Sequence, residues 1–184
     1  PDPSTGVKRI IPDYKKYDFS IYSIYDISFD SNWLIEGGIR YDFSHINAYK
    51  YYRTSLWEAR NYDELFPEIV VEDLGLNTLT NPKFNFNNFS SNLGTRYTIN
   101  KGENIYFNYS ISSRKPNPSE LFSEGLHHSS ARIEIGDLSF NSEVGHNISL
   151  TYNFANEKSN LTVNSFANYA VSYTHLTLPT KFVV

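Results

Sequence analysis

The sequence predicts an all-β chain: an antiparallel up-and-down meander of about six long strands, forming part of a larger transmembrane β-barrel. Three observations predict it. Apolar and polar residues alternate with a two-residue period over long stretches, short polar breaks alternate with long connections, and Tyr and Phe are abundant, at 15 and 13 of 184 residues.

The first strand runs from Tyr17 to Phe29, with Tyr17, Phe19, Ile21, Tyr25 and Ile27 on one side and Asp18, Ser20, Asp26 and Ser28 on the other. Asp30, Ser31 and Asn32 break the pattern as a hairpin turn does. It resumes with Trp33, Ile35, Ile39, Tyr41 and Phe43 opposite Glu36, Arg40 and Asp42. A third strand from about Phe86 to Asn100 sets Phe89, Leu93, Tyr97 and Ile99 against Asn88, Asn92 and Arg96. Lys101 to Asn104 supply a turn, where Gly102 tolerates the positive φ of a tight hairpin. The fourth strand alternates Ile105, Phe107, Tyr109 and Ile111 with Tyr106, Asn108, Ser110 and Ser112.

A fifth strand is expected from Leu138 to Phe154, with Leu138, Phe140, Val144, Ile148, Leu150, Tyr152 and Phe154 opposed to Asn141, Glu143, Asn147 and Asn153. Ala155 to Asn160 form the last short turn, and a sixth strand begins at Leu161. Helical periodicity fits none of these segments, because an apolar residue at i+3 would fall on the polar side.

The connections are short at 30–32, 101–104 and 155–160 and long at about 53–85 and 113–137. Tight turns on one side and long loops on the other are expected of an up-and-down outer-membrane barrel. Trp33, Phe29, Tyr97, Phe107, Tyr152 and Phe154 gather near the short-turn ends, as an aromatic girdle would. Alternation alone fits a water-soluble sandwich or lipocalin-like barrel equally well. Strand length favours lipid, since about 9 to 11 tilted residues cross a bilayer and these strands are longer.

On the lipid reading, Phe19, Ile21, Ile27, Trp33, Ile35, Ile39, Leu93, Tyr97, Ile105, Phe107, Tyr109, Ile148, Leu150, Tyr152 and Phe154 face hydrocarbon. Asp26, Glu36, Arg40, Asp42, Arg96, Asn108, Asn147 and Asn153 face an aqueous lumen. No run approaches the roughly 18 apolar residues of a transmembrane helix. The absence of Cys removes disulfides, thiolate metal sites and Cys nucleophiles, and a net charge of −4 without Lys/Arg runs argues against a nucleic-acid partner. The carboxylates Asp18, Asp26, Glu36 and Asp42 share a side as glycosidase pairs do, but a hydrated lumen wall accounts for them more simply. With no phosphate loop, HExxH or nucleophile elbow, no catalytic residue and no cofactor is expected.

Between Tyr106 and Phe154 stand Ser113-Arg114-Lys115-Pro116, then Glu120-Leu121-Phe122, Gly125-Leu126-His127-His128, and Glu134-Ile135-Gly136-Asp137-Leu138 with Glu143. This series resembles the C-terminal barrel half of TonB-dependent outer-membrane receptors, with an Arg-x-Pro, a Glu-Leu-Phe, a Gly-x-His loop and a return into the next long strand. Gly38-Ile39-Arg40-Tyr41-Asp42 is similar to a GxRYD strand of such receptors, and the likeness covers roughly 1–170.

The resemblance implies uptake of a scarce nutrient, most commonly a ferric siderophore, across the bacterial outer membrane through a barrel of about 22 strands. Its implied partners are outer-membrane lipid, a small-molecule ligand, and the TonB energy-coupling complex acting through a plug domain. With no initiating Met, about six strands, no plug and no coupling box, the chain is expected to be a piece of such a receptor. Haem receptors of the family use a loop histidine, which makes His127 and His128 candidate iron ligands, although their flanking motifs are only partly matched. Hydrogen bonding that orders the loop is the simpler role for them.

Arg114 and Glu120 are candidates for a charge pair fixing the loop or for ligand contact. Asn117 to Phe122 read as one helical turn with Asn117 at the N-cap and Pro118 at N1. The loop at 53–85, with Trp57, Tyr62, Phe66 and several carboxylates, reads as an aromatic, acidic external loop that either catches a ligand or is simply solvated. The end of the chain, 171–184, looks like translated sequencing adapter, which would exclude it, His175 included, from functional argument.

Overall fold

A computed structural model describes residues 10–127 and 132–171, with side chains described at 10–125 and 134–171. Six long strands form one antiparallel sheet: β1 (Tyr14–Ser28), β2 (Trp33–Ala48), β6 (Lys83–Asn100), β7 (Glu103–Arg114), β10 (Glu143–Ala155) and β11 (Asn160–Val171), in that spatial order. Each pairs with its neighbour in the meander, at lengths of 12 to 18 residues. The expected tail at 171–184 lies outside the described residues beyond Val171.

Each short turn closes by its own side-chain or glycine chemistry. Asp30 Oδ1 accepts from the Asn32 and Trp33 amides at 2.7 and 2.8 Å, and Asn156 Oδ1 accepts from the Lys158 and Ser159 amides at 2.9 and 2.8 Å. Gly102 has φ 85° and accepts at its carbonyl from the Ala155 amide, so close that a Cβ would collide with the Ala155 carbonyl.

The long connections are folded units of their own. The first contains β3 (Lys50–Arg53), α1 (Thr54–Ala59), α2 (Tyr62–Leu65), a 3₁₀ turn (Pro67–Ile69), β4 (Val70–Asp73) and β5 (Asn77–Thr80), with a small sheet in the order β3-β5-β4. The second contains α3 (Pro118–Phe122) and the hairpin β8 (Glu124–His127) with β9 (Arg132–Ile135).

The fifth long strand departs from expectation, beginning at Glu143 and not at Leu138. Asp137 Oδ1 accepts from the Ser139 amide at 2.9 Å and hydroxyl at 2.8 Å, which turns the chain there. Leu138 is buried in the loop core and Phe140 packs against it. Their alternation with Val144 was coincidental, because burial of two apolar residues in a loop mimics the period of a strand.

The register sorts the sheet into two faces. Across β1, β2 and β6, rows such as Ile27–Ile35–Thr95 and Phe19–Phe43–Asn87 share one face, and Leu93–Tyr109–Ile148 and Tyr97–Ile105–Tyr152 continue it over β6, β7 and β10. Asp26–Glu36–Gly94–Asn108 and Asp42–Asn88 lie on the other. The polar face is the concave one. Lys115, just beyond β7, pairs with Asp18 on β1 although β2 and β6 lie between, and strands about 4.8 Å apart permit that only if the sheet curls.

The apolar face of the strands is largely exposed: Phe19, Ile21, Ile39, Leu93 and Leu150 each show 44 to 61 % of their surface. The buried core sits elsewhere, where the long connections fold over one end of the polar face. It comprises Ile46, Ala48 and Phe86 from β2 and β6, Tyr52, Trp57 and Tyr62 from the first connection, and Leu121, Phe122 and Leu138 from the second.

Candidate functional site

The two long connections form a joint roof over the polar face, held by links between them. Lys50 Nζ, almost fully buried on β3, donates to the Phe122 carbonyl at 2.7 Å and pairs with Glu124 at 3.3 Å. It also stands 4.1 Å from the Tyr52 ring centroid. A buried ammonium is tolerable only when so engaged. The Tyr62 hydroxyl donates to Asp137 Oδ1 at 2.7 Å and accepts from the Leu138 amide at 3.1 Å. Arg60 reaches the Gly136 carbonyl at 3.4 Å.

These contacts set the acidities. Burial, then the Asp137 carboxylate, pushes the Tyr62 phenol up to about 12. Burial raises Tyr52 still further. Burial also works to raise Asp137, but donation from the Ser139 amide, Tyr62 and the Ser139 hydroxyl outweighs it and holds the carboxyl below its ordinary value.

Trp57 and Tyr62 are therefore not exposed aromatics waiting for a ligand. Both are 3 % exposed and interlock with Tyr52 and Phe66 at ring separations of 5.2 to 6.2 Å. The sequence showed the aromatics but not their destination, because α1 lacks a side-chain cap and is too short for a period to register.

Arg114 and Glu120 are brought together. At the end of β7, the Arg114 guanidinium donates to both Glu120 oxygens at 3.0–3.1 Å and to Glu143 Oε2 at 2.9–3.1 Å, the last residue standing opposite it at the start of β10. Glu120 also accepts from the Asn117 amide at 2.8 Å, while Asn117 Oδ1 accepts from the Ser119 and Glu120 amides at 3.0 Å each. This is the capping box of α3, with Asn117 at the N-cap and Pro118 in the first turn as the sequence predicts. The Arg114 side chain remains about half exposed.

Gly136 explains a further part of the motif series. A Cβ there would lie 2.7 Å from the Glu120 carbonyl and from the backbone of Leu121 and Phe122. The Gly136 amide donates to the Ser123 carbonyl at 2.6 Å and the Asp137 amide to the Glu120 carbonyl at 2.8 Å.

Below the roof, the polar face carries Arg40, chelating Asp42 at 2.7–2.9 Å, with Ser20 bonded to the same carboxylate. Beside it is an open hollow of about 410 Å³ whose lining includes Tyr22, Ile24, Gly38, Arg40, Asn92 and Ser110. Small residues meet across strands in its wall: a Cβ on Gly38 would lie 2.7 Å from Asn92 Oδ1. The sequence analysis did not single out this hollow. Its signal was the alternate small residues Ser90 and Asn92, opposite Arg40 and Gly38.

His127 pairs with Arg132 at the tip of the β8–β9 hairpin, and its side chain and all of His128 lie outside the described residues. Among the described residues, no three His, Cys, Asp or Glu side chains gather as a metal site. Every residue assigned to lipid shares the apolar face and every one assigned to the lumen shares the polar face, including Arg96, Asn147 and Asn153.

A search of curated proteins finds no match to the chain. The family model described as TonB dependent receptor-like, beta-barrel matches residues 1–172. That family is one of outer-membrane receptors and transporters, and the two-faced meander with tight turns at one end and folded loops at the other is what its barrel requires. The chain belongs to the TonB-dependent receptor β-barrel family.

Proposed function

We propose that residues 1–170 form part of the barrel wall of a transporter that takes up a ferric siderophore, with the apolar face against outer-membrane lipid and the polar face lining the lumen. The observation that carries this is the register, which joins six strands without placing one of the assigned apolar side chains on the charged side. In lipid every backbone group needs an internal partner, so the free edges of β1 and β11 pair with further strands of the complete barrel.

The loop roof faces the outside, and ligand passes beneath it. Arg40 and Arg114 keep half-exposed guanidinium groups on the lumen side, suited to an anionic iron chelate. Arg114 and Glu120 position the second connection, and Arg114 alone retains surface for ligand. Energy comes from the TonB complex acting through a plug domain, and no bond chemistry is involved. Residues 171–184 take no part.

The test is iron uptake by cells carrying the complete receptor. Growth on ferric siderophores, lost on deletion and reduced severalfold by Arg40→Ala with Arg114→Ala, supports the reading. Growth on haem alone, abolished by His127→Ala or His128→Ala, would replace it with haem uptake.

A further inference from the structure

The polar face is divided into two sectors of different charge. On β1 and β2 it is acidic at mid-depth: Asp26 stands opposite Glu36, and neither has an ion pair or hydrogen bond among the described residues. Two carboxylates facing each other on a low-dielectric wall concentrate a negative field. On β7, β10 and β11 the register places no charged side chain on this face between the Arg114–Glu143 pair at the loop end and the tight turns. The rows there include Ser110–Asn147–Asn168 and Tyr106–Thr151–Asn164. Arg96 of β6 borders this sector opposite Tyr106, so the nearest charge on that side is a cation.

Within the uncharged sector the polar groups satisfy one another. Asn147 donates to the Asn168 carboxamide oxygen, and the Thr151 hydroxyl donates to Asn164 Oδ1 at 3.0 Å. Water or a passing group replaces such a neutral bond with little net change in free energy, whereas a charge holds what it binds. Every second residue of a strand returns to the same face, so the rows recur at ~7 Å. A column of weak, repeated sites is what passage requires, with binding strong enough to admit the cargo and weak enough to release it.

The hollow of about 410 Å³ joins the two sectors. Its lining runs from Arg40 and Tyr22 on the acidic side to Asn92 and Ser110 on the uncharged side. Arg40 stands ~13 Å nearer the loop end than Glu36 on the same strand. An anion held at Arg40 therefore meets repulsion straight down β2 and none sideways through the hollow.

We infer that an anionic ferric chelate leaves the mouth of the lumen sideways, from Arg40 through the hollow, and descends over the uncharged column of β7, β10 and β11, kept off β1 and β2 by Asp26 and Glu36. The inference rests on the siderophore reading and names the path within it. Arg114 stands at the head of that column, at the end of β7.

The experiment measures uptake of radioactive iron, supplied as an anionic tricatecholate chelate, by cells carrying the complete receptor, beside binding of the same chelate to de-energised cells. Asn147→Asp with Asn168→Asp should slow uptake about tenfold or more and leave binding unchanged, because the passing anion now faces like charge. Asn147→Ser with Asn168→Ser keeps the wall neutral and should stay within about twofold of wild type. Ser149→Asp, in the next row and breaking no hydrogen bond among the described residues, should slow uptake in the same sense, and it decides the matter if the double aspartate variant does not fold. Asp26→Asn with Glu36→Gln should leave uptake unchanged. Equal rates for Ser149→Asp and wild type, equal slowing by the aspartate and serine pairs, or equal slowing by the Asp26/Glu36 variant would overturn the inference. Entry of large antibiotics through the Ser149→Asp receptor with iron uptake intact would show that the column seats the plug, and would overturn it too. Wild-type cells that neither bind nor import the chelate remove the siderophore reading and the path with it; wild-type import that is indifferent to Ser149→Asp removes the path alone.

Discussion

The Tyr62 hydroxyl lies 2.7 Å from Asp137 Oδ1 and 3.1 Å from the Leu138 amide, so one phenol joins the first long connection to the second. Tyr62→Phe removes the donor to a half-buried carboxylate and the acceptor of a buried amide. The expected cost is about 1 to 3 kcal/mol to the loop roof, read as faster protease nicking between α1 and β5 with the strands intact.

The same pair gives the roof a pH window. Asp137 is held below its ordinary value of 3.8, so its contribution is full above that pH and is lost as pH falls through the lowered value. Tyr62 is raised from 10.0 to about 12, so its contribution is full below pH 10 and is lost as pH climbs towards 12. Near-ultraviolet circular dichroism of the packed aromatics should fade at both limits. Asp137→Asn should flatten the acid limb, and an unchanged acid limb would show that Asp137 is not the group responsible.

Gly136→Ala should destabilise the second connection by about 1 to 3 kcal/mol, because the new methyl meets the backbone of α3 at 2.7 Å and not a side chain that can turn away. Thermal unfolding of the complete barrel with and without the change measures it. A cost near zero would mean that α3 shifts freely on the sheet.

Glu120 serves both Arg114 and the α3 cap, which separates two substitutions. Glu120→Ala should cost about 1 to 2 kcal/mol, whereas Glu120→Gln retains an acceptor for the Asn117 amide and should cost less. Equal urea midpoints for the two variants would show that charge pairing with Arg114, and not capping, is what matters.

Phe107 and Asn108 are sequence neighbours on opposite faces, in the Thr95–Leu150 and Gly94–Ser149 rows. In the complete barrel Phe107→Arg should cost up to about 2 to 4 kcal/mol near the bilayer midplane, less towards an interface, and Asn108→Arg should be tolerated. Refolding titrations into vesicles compare them; similar costs would remove the assignment of faces.

The sequence by itself determined the meander, the tight turns and the partition of residues between faces. All follow from a period of two, which any strand of more than a few residues displays, and from turn residues that act locally, such as Asp30, Gly102 and Asn156. The α3 cap was legible for the same reason, since Asn117 and Glu120 satisfy each other within one turn. Only the tertiary structure decided that Trp57, Tyr62 and Leu138 are core, that Lys50 is buried against Phe122 and Glu124, and that Arg114 also holds Glu143. Those contacts join residues 29 to 76 positions apart. Their partners are fixed by where the curled sheet brings its two long connections together, and no local period or spacing carries that information.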